Sequence, residues 1–258
     1  AWASLDARTL AIRAPQLAGA AKDEGSKALA SSPWRDRIAL FVTGEGDVFY
    51  RPDGRASHFK RLALANGTPE EQQKSLNTVK ALLQKAAGGE ADAKPTRVLI
   101  RADRDARWQH VCWLTRLCRD GAVGIQDAGL SVDLEDGGYG VVPISRSTSG
   151  EPGSPATLKI ITKGFGAEAP ALVMLPGGKK ITLPNPAAGS GADEPDEVRA
   201  RALAQIRAVL EPLGAKKWQV QAPFPRGVRV RHGDMVRLLH LLEEMGADEI
   251  EVKLLALP

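Results

Sequence analysis

The chain has 258 residues, enough for two domains that each bury a core. Its 43 % hydrophobic and 26 % charged residues are typical of a soluble globular protein, and no apolar run reaches the roughly 18 residues of a transmembrane helix. The net charge of +4 is dispersed: Arg97, Arg101, Arg104 and Arg107 alternate with Asp103 and Asp105, so they make no single-sign phosphate track, and nucleic acid is not an expected partner. No signal peptide is visible, and the chain begins with Ala1 rather than Met. An N-terminus that has been processed or left out is therefore expected, and any membrane anchor would lie upstream of Ala1.

In chain order, LDARTLAIRAP alternates apolar and polar residues and predicts an extended segment from Leu5 to Ala14. AGAAKDEGSKALASSP is small, polar and Pro-terminated, the composition of a loop. RIALFVTGEGDVFYRPDGR predicts a hairpin, with two β-rich runs separated by Gly44, Glu45, Gly46 and Asp47. Residues 69–87 predict a helix with an apolar stripe of Leu76, Val79, Leu82 and Leu83, and Thr68 with Glu71 supplies a capping box at its start.

Residues 97–132, RVLIRADRDARWQHVCWLTRLCRDGAVGIQDAGLSV, read as strand, polar turn, amphipathic helix, Gly stop and strand. LEDGGYGVVPI carries hairpin chemistry in Asp136, Gly137 and Gly138. SRSTSGEPGSPA has the composition of a linker. TLKIITKG and VMLPGGKKITLP then give strand signals, followed by a polar loop around AAGSGADEPD. A helix is expected from Pro195 to Leu213, lined by Val198, Leu203, Ile206, Val209 and Leu210.

Residues 218–255, WQVQAPFPRGVRVRHGDMVRLLHLLEEMGADEIEVKLL, repeat the order of residues 97–132. Aligning Gly121 with Gly246 puts Val111, Leu114 and Leu117 over Val236, Leu239 and Leu242, and Ile125 over Ile250. The strand-to-helix connection is longer in the second copy, where RGVRVRHGD is inserted, and Pro223 stands where the first copy has Asp103. One unit duplicated is the simplest reading. It predicts domains over 1–142 and 157–258 joined by a linker over 143–156. The helices 106–120 and 233–245 would be equivalent, and the halves would associate as a pseudo-dimer. Each half reads strand, strand, helix, strand, helix, strand. The expected class is α+β, two similar small domains that each place two helices on one face of a mixed sheet.

Chemistry-bearing residues are sparse. His58, His110, His232 and His240 have no metal-ligand spacing with carboxylates or cysteines, and no G-x-S-x-G, P-loop or dinucleotide fingerprint occurs. Gly137-Gly138 and Gly177-Gly178 sit between strand-like runs, as tight turns require. Cys112 and Cys118, the only cysteines, are about 9 Å apart along one helix, too far for a disulfide, and read as small core or boundary residues. No catalytic, cofactor-binding or metal-ligating residue is expected. Asp103 follows a strand and precedes a helix, where it can cap the turn, pair with Arg107 or meet a ligand. Trp108 and Trp113 serve either packing or partner anchoring. Asp103, Arg107, Trp108 and Trp113 are the candidate partner-binding residues.

VLIRADRDARWQHVCWLTRLCRDGAVGIQDAGL resembles the signature of the periplasmic domain of the ExbD/TolR biopolymer-transport family: an apolar strand ending in a small residue and Asp, a polar turn, a helix, then Ala-Gly and a strand. LDARTLAIRAP matches the strand that follows that family's single membrane helix, and IALFVTGEGDVFYRPDG matches its first hairpin. The second half matches in part. The resemblance implies a non-enzymatic module without cofactor on the periplasmic face of the bacterial inner membrane, in a proton-motive-force-driven machine. It would be tethered by an anchor outside this chain and bind a protein of the TonB/ExbB or Tol type, or peptidoglycan. The family's proton-carrying Asp lies in the membrane helix, so no residue here takes that role. The alternative is a soluble intracellular α+β ligand-binding or regulatory protein. Contact with a partner is expected at sheet edges, with the hairpin from Ile38 to Tyr50 and the terminal strand from Glu249 to Leu255 as candidates.

Overall fold

A computed structural model describes residues 4–6, 12, 14, 37–50, 58–63, 68–87, 97–119, 123, 125, 127–133, 139–143, 155–162, 171–183, 196–223 and 230–255. By contacts the chain divides into two compact units. One comprises Ala1–Ile144 with Arg231–Val236, the other Ser145–Val230 with Arg237–Pro258.

In the first unit β1 (Ser4–Asp6), β2 (Arg37–Val42), β3 (Val48–Tyr50) and β4 (His58–Ala63) precede α1 (Pro69–Ala87). They are followed by β5 (Arg97–Ala102), α2 (Trp108–Arg119), β6 (Asp127–Asp133) and β7 (Tyr139–Pro143). The sheet order is β1-β4-β3-β2-β5-β6-β7. β2, β5 and β6 are parallel, whereas β3 and β4 run antiparallel in turn, so β4 points the same way as β5. The crossovers β4-α1-β5 and β5-α2-β6 advance in the same direction across the sheet, and right-handed connections then place both helices on one face. Leu40, Val42, Val98, Ile100, Leu130 and Val132 are buried between.

The second unit holds β8 (Ala156–Thr162), β9 (Ala171–Met174), β10 (Lys180–Thr182), α3 (Asp196–Leu210), a 3-10 turn (Glu211–Leu213), β11 (Lys217–Pro223), the part of α4 (His232–Glu244) from Arg237 on, and β12 (Glu249–Leu255). Its order is β10-β9-β8-β11-β12, with β8, β11 and β12 parallel. That is the order and direction of β4-β3-β2-β5-β6. The class is α+β, built twice on one plan, and the first sheet carries β1 and β7 in addition.

The structure moves the sequence alignment of the copies. Among the described residues of α2, Trp108, Val111, Cys112, Leu114, Thr115 and Cys118 are buried. The residues 124 positions further on, His232, Met235, Val236, Leu238, Leu239 and Leu242, are all buried in α4. Val111 therefore answers to Met235, not Val236, and Leu117 is only half-buried. Ile125 is not the counterpart of Ile250: it precedes β6, and Ala128 lies opposite Val98 as Ile250 lies opposite Trp218. The link from α2 to β6 (residues 120–126) is longer than that from α4 to β12 (245–248), so one alignment cannot serve helix and strand together. Gly121 lies outside the described residues. Gly246 ends α4 with φ +78°, and its N–H and that of Ala247 donate to the carbonyls of Glu243 and Leu242, a Schellman cap.

Other expectations change in detail. The first unit has four strands before its first helix and the second has three. In the first unit β4 was not expected because its large apolar residues, Phe59 and Leu62, break strict alternation. Of the expected segment from Leu5 to Ala14, β1 covers Leu5 and Asp6, and Ile12 and Ala14 are not in strand. The hairpin from Ile38 to Tyr50 is not an edge: β4 covers β3 and β5 covers β2. β12 is the edge of its sheet. His232, Gly233 and Asp234 of the inserted stretch form the first turn of α4. Asp136, Gly137, Gly138, most of the expected linker and the loop around AAGSGADEPD fall outside the described residues.

The capping box is formed. Thr68 N–H donates to Glu71 Oε2 at 2.8 Å, and Glu71 N–H donates to Thr68 Oγ1 at 3.3 Å. Thr68→Ala removes one half of it and should lower stability by about 1 kcal/mol in urea unfolding. An unchanged midpoint would mean that the cap carries no weight in this helix.

Candidate functional site

β2 and β5 are parallel neighbours, so the loops leaving their carboxyl ends, residues 43–47 and 103–107, stand side by side. Asp103 joins them. Its N–H donates to the Val42 carbonyl at 2.8 Å, extending the β2–β5 ladder by one bond. Its Oδ1 accepts the Asp105 N–H at 2.9 Å, and its carbonyl accepts the Ala106 N–H at 2.9 Å. This is the local geometry by which an Asp side chain closes a turn. A Cβ on Gly44 would lie 3.6 Å from Asp103 Oδ1, so the two loops are within van der Waals reach.

The 43–47 loop is tied by its own bonds. Thr43 N–H donates to the Asp47 carbonyl at 3.0 Å, Gly46 N–H to the Thr43 carbonyl at 2.9 Å, and Asp47 N–H to Thr43 Oγ1 at 3.1 Å. Asp47 also pairs with Arg61 of β4, whose guanidinium carbon lies 5.8 Å from the centre of the Phe49 ring. Gly46 has φ +95°, and a Cβ there would come within 2.0 Å of His110 Nδ1. The His110 ring thus packs on bare backbone. Burial pushes the His110 pKa below its ordinary value, Arg107 adds to the shift, and Asp47 opposes it.

The segment Arg231–Val236 completes the first unit at this place. Arg107 and Arg231 form an antiparallel bridge. His232 N–H donates to the Ala106 carbonyl at 2.8 Å and Gly233 N–H to the Arg104 carbonyl at 3.0 Å. A Cβ on Gly233 would lie 3.2 Å from that Arg104 oxygen, which favours a residue without a side chain. Arg231 reaches Asp105 at 3.0 Å. The His232 ring stacks on Trp108, with centroids 5.8 Å apart and planes within 9°. His232 is wholly buried, and burial takes its pKa down to about 3. Among the described residues its two ring nitrogens and Trp108 Nε1 have no hydrogen-bond partner.

Of the four residues singled out from sequence, Asp103, Arg107 and Trp108 share one turn. Trp113 does not join them: five residues on from Trp108, it lies ~140° round the helix and is half-buried. Asp103 and Trp108 are buried, at 4 % and 3 % exposure, so the turn offers a partner Arg107 rather than either of them. Asp47, Asp105, His110, Arg231 and His232 were not anticipated. The signal was available: aligning the two copies on helix starts sets Arg107-Trp108 over Arg231-His232, whereas the Gly alignment hides it.

Among the described residues no group of three or more His, Cys, Asp or Glu is placed to hold a metal. Cys112 and Cys118 are buried and not joined in a disulfide, and burial raises Cys118 to about 12, which keeps it protonated and unreactive. No helix among the described residues is long and apolar enough to cross a membrane. No protein-family model matches the chain, and no curated protein sequence matches it.

Gly46→Ala should cost about 1–3 kcal/mol from the positive φ alone, with a further loss from displacing His110. Adding His110→Ala should recover that further loss and leave the backbone strain. Urea unfolding of both single variants and the double variant measures the coupling. Simple additivity would mean that the ring does not rest on Gly46.

Proposed function

We propose that this chain is a non-enzymatic periplasmic module of an ExbD/TolR-like, proton-motive-force-driven complex of the bacterial inner membrane. It is tethered by a membrane helix upstream of Ala1 and binds a TonB/ExbB- or Tol-type protein, or peptidoglycan. The observation that carries the reading is the strand-Asp-turn-helix-strand passage from Arg97 to Asp133. It folds as β5, the Asp103 turn, α2 and β6, in the order the family signature implies. The recurrence of the same strand order in the second unit fits a duplicated module. A scaffold of this kind needs a binding edge rather than a catalytic constellation. β12 supplies one, with Ile250 and Val252 half-buried between Glu249, Glu251 and Lys253. Lys217 stands 3.9 Å from Glu249, and Gln219 donates to Glu251 at 2.8 Å, so the polar face is ordered against β11, and among the described residues β12 ends its sheet.

Expressed from its full-length gene in its own host, the protein should fractionate with the inner membrane. Protease should reach this region only after the outer membrane is opened. Recovery in the soluble cytoplasmic fraction would contradict the proposal. With isotope-labelled protein, peptidoglycan fragments or a TonB- or Tol-type periplasmic segment should shift the amides of Glu249–Leu255. Shifts confined to loops would exclude strand addition.

A further inference from the structure

We propose that His232 is a proton-sensitive clasp, holding Arg231–Val236 in the first unit when neutral and releasing it when protonated. The inference does not rest on the functional reading above. Its basis is the surroundings of the ring: wholly buried, stacked on Trp108, with both nitrogens lacking a hydrogen-bond partner among the described residues. An imidazolium there would be a buried charge with no hydrogen-bond acceptor among the described residues, a state that proteins avoid by neutralising or expelling the group. The indole face beneath it would attract the cation, but cation–π attraction is weaker than the desolvation it must offset. Burial alone accounts for the downward shift of His232.

The charged and titratable groups of the packed segments do not offset this. Asp105 is engaged by Arg231 at 3.0 Å, and Asp103 holds the Asp105 N–H. Arg104 and Arg107 contribute backbone contacts and positive charge, His110 is two residues along α2 from Trp108, and Asp234 is two residues along α4 from His232. Among the contacts that hold the segment are two backbone hydrogen bonds, the Asp105–Arg231 pair, the stack and the burial of Met235 and Val236. Only the stack carries a group whose free form titrates near neutrality.

The sign follows from linkage. A released His232 binds a proton near pH 6.5, whereas the docked ring does so only near 3. The contribution of the neutral ring to docking is fully present well above 6.5 and is lost as pH falls, by up to tenfold per pH unit. Between pH 6.5 and 4.5 the docking equilibrium should drop about fiftyfold.

The test is amide hydrogen exchange on the full chain by NMR, with protection of His232 and Gly233 normalised for intrinsic exchange at each pH. The wild type should lose about fiftyfold protection between pH 6.5 and 4.5. His232→Phe, which keeps an aromatic ring and cannot protonate, should keep its protection. Asp105→Asn should retain the wild-type pH dependence, because the carboxylate is not the sensor. Unchanged wild-type protection, an equal loss in His232→Phe, or its abolition by Asp105→Asn would overturn the proposal. Should the phenylalanine variant fail to dock, the wild-type ring carbon shifts still decide: a docked His232 titrating near 6.5 contradicts the clasp.

Discussion

Parallel pairing of strands that are not consecutive in sequence is the constraint on which the rest of this protein depends. β2 lies beside β5, and β8 beside β11, and neither pair can be joined by a tight turn. In each unit the chain must leave through a hairpin, add a third strand, cross over by a helix to insert beside the first strand, and cross again in the same direction. Both helices then fall on one face. The loops at the carboxyl ends of the parallel strands fall together, and that is why residues 43–47, 103–107 and the start of α2 form one cluster rather than three separate turns.

The two copies use this plan differently. Asp103 donates its N–H to Val42 and closes the turn with its carboxylate. Pro223 occupies the equivalent place in the second copy and has no N–H to give. The same divergence appears at the first helical residue, Trp108 in α2 and His232 in α4. Here an indole and an imidazole take one structural position, but only the imidazole can change charge.

Much of the fold was legible because periodicity survives in the elements that face a core. α1 was readable to its bounds, since Thr68 and Glu71 mark its start and Val79 and Leu83 its buried stripe. The class was readable from the repeated strand-helix-strand order. What escaped was set by pairing and not by local pattern: β4, which has poor alternation, and the interior position of the β2–β3 hairpin, which depends on two other strands. The alignment of the copies failed for a physical reason as well. Gly246 caps a helix and is a local signal, but the buried faces align from the helix starts, and the loop behind α2 differs in length from that behind α4. Asp103 and Arg107 were recognisable as a turn. The contacts of Arg231 and His232 with it span more than a hundred residues, and in the sequence only an alignment of the copies on their helix starts points to them.

The central claim is that one sheet-and-two-helix plan is built twice. Cross-strand amide contacts measured by NMR on the isotope-labelled chain test it most directly. The account predicts contacts linking β8 to β11 and β11 to β12 in parallel register, Trp218 opposite Ile250, alongside Val98 opposite Ala128 in the first unit. A β12 that pairs antiparallel, or that pairs with any strand of its sheet other than β11, would contradict it.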